Sequence, residues 1–69
     1  MNNPDALLTP AQVAERLTIS RSMVYQLKDA GEIPHVLIGS RVRFQPADVE
    51  RYITDNRREP KLRLARRSA

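Results

Sequence analysis

Two helix-start signals stand close together near the beginning of the chain, and they restrict its fold more than any other feature. At Thr9-Pro10-Ala11-Gln12 the threonine hydroxyl can accept from the Gln12 amide and the glutamine side chain can reach back. Pro10 fills the first helical position, where no N–H is needed. Leu8 before the cap and Val13 within the helix suit a hydrophobic staple, and Val13, Ala14 and Leu17 share one helical stripe. The periodicity breaks at Thr18-Ile19-Ser20 and restarts at once. Ser20 is a good N-cap, and Met23, Val24 and Leu27 come after it on the spacing of a second buried stripe, which Gly31 ends and Pro34 keeps from resuming. Two short helices across a tight turn, spanning residues 10 to 30, form a helix-turn-helix plan.

The next segment has the pattern of a hairpin. His35-Val36-Leu37-Ile38 and Arg41-Val42-Arg43-Phe44 are rich in β-branched residues and flank Gly39-Ser40, a two-residue turn in which glycine supplies the positive φ. With a period of two, Val36 and Ile38 share a face, as do Val42 and Phe44, which leaves Arg41 and Arg43 together on the face opposite that second pair. A third helix starts at Gln45-Pro46-Ala47-Asp48, with Asp48 near the positive end of its dipole and Val49, Tyr52 and Ile53 as its apolar stripe. It should fade near Asn56, and Pro60 interrupts any continuation. The expected fold is therefore mainly α with a small β-hairpin, a winged helix-turn-helix of three helices and a two-stranded wing. The expected organisation is a lead over residues 1–6, the folded domain over 7–56 and a basic arm over 57–69.

Charge indicates the kind of partner. Lys and Arg number 12 against 8 Asp and Glu, for a net charge of +4, and all but Lys28 and Lys61 of the bases are arginine, the planar donor suited to phosphate and guanine. The excess sits at the end: Arg57, Arg58, Lys61, Arg63, Arg66 and Arg67 face only Glu59 there, so the rest of the chain is close to neutral. A basic arm on a near-neutral domain is a common plan for gripping nucleic acid, although such arms can also be merely solvated. No apolar run approaches the length of a signal peptide core or a membrane span, so the expected setting is cytoplasmic and DNA-associated, with no membrane partner.

Catalysis fits poorly. With 69 residues, no Cys and a single His, the chain has little room for a deep cleft and lacks the ligands of a thiolate or His-rich metal site. Thr9, Ser20 and Ser40 have capping or turn roles, His35 has no nearby thiol or acidic partner in sequence, and Gly31 and Gly39 are taken by a helix end and a turn. No enzyme activity, metal or cofactor is expected.

The second helix carries side chains of the types that can read DNA. Burial of its apolar stripe leaves Arg21, Ser22, Tyr25, Gln26 and Lys28 outside. Arg reaches guanine O6 and N7, Gln fits adenine, and Ser and Tyr can bond phosphate or a base edge. The same residues would also make an ordinary solvated face. On the hairpin, two guanidinium groups on one face can track a backbone or enter a narrow minor groove; alternatively, Arg43 pairs with Asp48 or Glu50 of the next helix.

Four motifs in order, Leu7-Leu8-Thr9-Pro10-Ala11-Gln12-Val13-Ala14-Glu15-Arg16-Leu17, Ile19-Ser20-Arg21-Ser22-Met23-Val24-Tyr25, Gly31-Glu32-Ile33-Pro34 and Ile38-Gly39-Ser40-Arg41-Val42-Arg43-Phe44, resemble the excisionase-type helix-turn-helix family with its MerR-like winged helix. The resemblance implies a recombination directionality factor of a phage or integrative element. Such a protein binds cooperatively near attachment sites, bends the DNA and steers a phage-type integrase toward excision; a small transcriptional repressor is the alternative. It implies a second helix in the major groove, using Ser20, Arg21, Ser22, Tyr25 and Gln26 with Lys28 beside them. It also implies a wing at the minor groove, using Gly39, Ser40, Arg41 and Arg43. Arg57, Arg58, Lys61 and Arg63 of the arm join the expected DNA contacts on charge alone. Two positions depart from the family pattern. Thr18 stands where Gly or Asn is frequent in the turn, and Leu37 stands where a polar or basic residue is frequent, leaving an apolar side chain facing outward.

Overall fold

In the computed structural model, which describes residues 6–58, the elements run α1 (Pro10–Leu17), α2 (Arg21–Asp29), β1 (Val36–Ile38), β2 (Arg41–Arg43) and α3 (Pro46–Asp55). Three helices and an antiparallel hairpin make this a mainly helical, winged helix-turn-helix arrangement.

Local chemistry sets the helix ends. The Gln12 amide donates to Thr9 Oγ1 at 3.1 Å while the Thr9 amide donates to Gln12 Oε1 at 2.9 Å, so the capping box is complete. The Met23 amide donates to Ser20 Oγ at 3.0 Å and starts α2. The two helices also stop by the same device. After α1 the Ile19 amide reaches back to the Ala14 carbonyl at 2.9 Å, and after α2 the Glu32 amide reaches the Leu27 carbonyl at 2.9 Å, each bond closing over a left-handed residue. In the second case that residue is Gly31 (φ 77°); in the first it is Thr18 (φ 58°, ψ 48°). The turn between the helices thus holds a β-branched residue in the left-handed region, a conformation strained for any residue with a Cβ.

Hairpin register pairs Val36 with Arg43, Leu37 with Val42 and Ile38 with Arg41. Gly39 has φ 64° and no positive φ falls on Ser40, the sign pattern of a type II′ turn. Residues directly opposite share a face, so Val36 and Ile38 do lie together, but beside Arg43 and Arg41 rather than against the core. The inward face of the wing is carried by Val42 and then Phe44. Beyond β2, Leu8 and Phe44 form an antiparallel bridge, with Leu8 N–H to Phe44 O at 2.8 Å and Phe44 N–H to Leu8 O at 2.9 Å. The segment leading into α1 is therefore stitched to the base of the wing.

Each part of the fold sends a side chain into one core: Val13 and Ala14 from α1, Val24 from α2, Ile33 from the loop before the wing, Phe44 from its end and Val49 from α3. Leu8, Leu17, Ile19, Leu27, Val42, Tyr52 and Ile53 pack around them. A fully buried Phe or Ile contributes about 1.5–3 kcal/mol through removal from water, so this small cluster accounts for much of the domain's stability. Met23 corrects the expected buried stripe: it is 42% exposed. Its neighbour Val24 points straight at the core, and a helix turns by about 100° per residue, which swings Met23 to the flank.

Candidate nucleic-acid interface

On α2 the inward direction is set by Val24, which is fully buried, with Leu27 half-buried beside it. Ser22 and Gln26 lie opposite Val24 and one turn apart, both exposed, so they form the centre of the outward face. Arg21 and Tyr25, also one turn apart and exposed, flank it on one side, and Met23 flanks it on the other. Four of the expected reading residues are thus brought onto one surface, joined by a thioether that periodicity had assigned to the core.

Two of the expected contacts have intramolecular roles. Ser20 Oγ accepts from the Met23 amide, which leaves its O–H and one lone pair for an outward contact. Lys28 is not simply outside: its side chain is only 17% exposed, its Nζ donates to Asp29 Oδ1 at 2.7 Å, and it stands 5.9 Å from the centre of the Tyr25 ring. A lysine held by a carboxylate and an aromatic face is a poorer phosphate contact than a free one and a better support for Tyr25.

The wing presents Gly39, Ser40 and Arg41 at its tip, all exposed. Arg41 makes no ion pair among the described residues, nor does Arg21. Arg43 is half-buried, and its Nη1 donates to the Val42 carbonyl at 2.7 Å. It does not pair with Asp48 or Glu50. Glu50 is instead gripped from both sides by Arg16, with Nη2 to Oε1 at 2.9 Å and Nε to Oε2 at 3.0 Å, a bidentate clasp from α1 to α3. Ile38 (52% exposed) and Leu37 (60% exposed) complete the hairpin surface. Leu37 is exposed, as its sequence position suggested, although the register puts it on the same face as Val42; Ile38 had no such signal, because the pairing register is what places it beside Arg41.

Arg57 and Arg58 are exposed just past α3, where the Arg57 amide donates to the Thr54 carbonyl at 3.2 Å. Lys61 and Arg63, like the rest of the arm and most of the lead, lie outside the described residues. Among the described residues no group of acidic or His side chains is arranged to hold a metal, and no helix is long and apolar enough to cross a membrane.

A capped helix pair with a polar outward face on its second helix, followed by an arginine-tipped hairpin, defines a winged helix-turn-helix of the DNA-binding class. A family model described as a helix-turn-helix domain matches residues 7–57, most of the chain, and the chain belongs to that family. The family includes excisionase-like proteins and its fold implies sequence-specific DNA binding. No curated protein and no solved structure matches the chain significantly.

Proposed function

We propose that this protein is an excisionase, a recombination directionality factor that binds cooperatively near attachment sites, bends the DNA and directs a phage-type integrase toward excision. The observation that carries the reading is the pairing of an open reading face on α2 (Arg21, Ser22, Tyr25, Gln26) with an arginine-tipped wing, in a family that includes excisionase-like proteins. In this reading α2 lies in the major groove, Arg21 and Gln26 read base edges, and Ser20, Ser22 and Tyr25 hold phosphates or base edges. Gly39, Ser40, Arg41 and Arg43 meet the minor groove, Lys28 braces Tyr25, and Arg57, Arg58, Lys61 and Arg63 follow the backbone.

Cooperativity follows from size. A single small head covers about 600–1,000 Å² of DNA, too little for tight selective binding, so neighbouring copies must support one another on adjacent sites. The open face of α2 alone also suits a small transcriptional repressor reading an operator. Footprinting across the attachment region of the source element separates the two. Direct repeats there, together with integrase-dependent excision that needs this protein, are the expected result; a single palindrome at a promoter and no effect on excision would establish the repressor instead.

A further inference from the structure

The hairpin exposes an aliphatic side chain where a wing that only touched phosphates would have no use for one. Ile38 is 52% exposed and lies outside the core cluster. It sits directly opposite Arg41, and both adjoin the two-residue Gly39-Ser40 turn. Directly paired residues project from the same face of a strand pair, so Ile38 and Arg41 stand side by side at equal depth from the tip. A groove edge that receives Arg41 therefore has Ile38 beside it on the same face of the hairpin.

Chemistry then narrows what Ile38 meets. Arg41 at the tip and Arg43 behind it on the same face favour a polyanion, whereas a branched aliphatic chain gains only from a surface that excludes water. A minor groove offers both once a base step is partly unstacked, because the opened step presents the apolar faces of two base pairs between rows of phosphates. The hairpin is anchored well enough to work as a wedge. Its base is tied by the two backbone bonds between Leu8 and Phe44, and Val42 and Phe44 pack into the core.

We propose that Ile38 is a wedge that enters the minor groove beside Arg41 and unstacks a base step, so that the wing itself makes the bend. The inference rests on the proposed function, in which the wing contacts DNA. Leu37, 60% exposed on the opposite face with Val42, is the matched control.

The test uses the full chain and a duplex bearing its own selected site, with dyes at the two ends to report bending and a fluorescent adenine analogue at the step under the wing to report unstacking. Ile38→Ala should lose most of the bend and the unstacking signal, while Leu37→Ala keeps both. A mismatch at that step, which lowers the cost of unstacking, should tighten wild-type binding by about tenfold and Ile38→Ala by much less. Circular dichroism of both variants checks that the fold is kept. Full bending by Ile38→Ala would overturn the wedge, as would equal losses in the Leu37 control, or a loss of cooperativity on paired sites with the bend on a single site unchanged. The premise fails separately: if Arg41→Ala leaves binding unaltered, the wing is outside the groove and the wedge falls with it.

Discussion

At the scale of single residues, two positions have consequences that can be measured independently. Arg21 is exposed one turn from Tyr25 and makes no ion pair among the described residues, so its guanidinium is free to reach a guanine. Arg21→Ala should lower affinity for the specific site by about 1–3 kcal/mol while scarcely changing binding to random duplex. Gel shifts on the two DNAs check this, and equal losses would make Arg21 a phosphate contact. Thr18 concerns stability instead. A left-handed conformation costs an L-residue roughly 1–2 kcal/mol, and Thr18 is held there by the bond from Ile19 to Ala14 that closes the turn. Asn adopts this conformation more readily without the extra chain entropy of Gly, so Thr18→Asn should stabilise the domain by about 1 kcal/mol in urea unfolding. An unchanged or lower midpoint would mean that the threonine side chain makes a compensating contact.

Among the elements, the wing is the part whose removal from DNA contact should be most visible. Arg41→Ala and Arg43→Ala should each weaken binding, with Arg41 the more sensitive to A·T content beneath the wing, because a narrow A·T-rich groove concentrates negative potential at its floor. Unchanged affinity in the double variant would exclude the hairpin from the interface. The half-burial of Arg43 and its bond to the Val42 carbonyl leave it fewer donors and less reach than Arg41, so its effect should be the smaller of the two. The elements also differ in how far their sequence revealed them. The caps at Thr9 and Ser20, the ends at Thr18 and Gly31 and the turn at Gly39 were all legible, because each depends on side chains or dihedrals within a few residues. The hidden features are non-local. The side of the wing that Val36 and Ile38 occupy depends on cross-strand register, the exposure of Met23 on the angle at which α2 meets the core, and the clasp of Glu50 by Arg16 on two helices far apart in sequence. Periodicity alone assigns an apolar residue to a stripe, and only packing decides whether the edge of that stripe is covered.

For the molecule as a whole, the uneven charge sets the dependence on salt. Residues 57–69 hold Arg57, Arg58, Lys61, Arg63, Arg66 and Arg67 against Glu59 alone, too dense a run of charge to serve as core. Deleting them should weaken binding to all DNA and flatten the plot of log K against log salt by roughly 3, since each phosphate contact contributes about 0.9 to the slope and three or four would be lost. Gel shifts at several salt concentrations measure this. A retained slope with lost excision in the presence of integrase would make the arm a docking segment for that enzyme, and retention of both would leave it no part in either role. The join between wing and body, by contrast, asks little of the side chains. The hydrogen bonds between Leu8 and Phe44 are made by main-chain atoms alone, which almost any pair of residues can supply. Hairpins of altered length or tip sequence can therefore be exchanged on this scaffold without redesigning its interior, provided apolar residues still fill the places of Val42 and Phe44. The tip loop is thus an interchangeable cassette on a fixed body of helices.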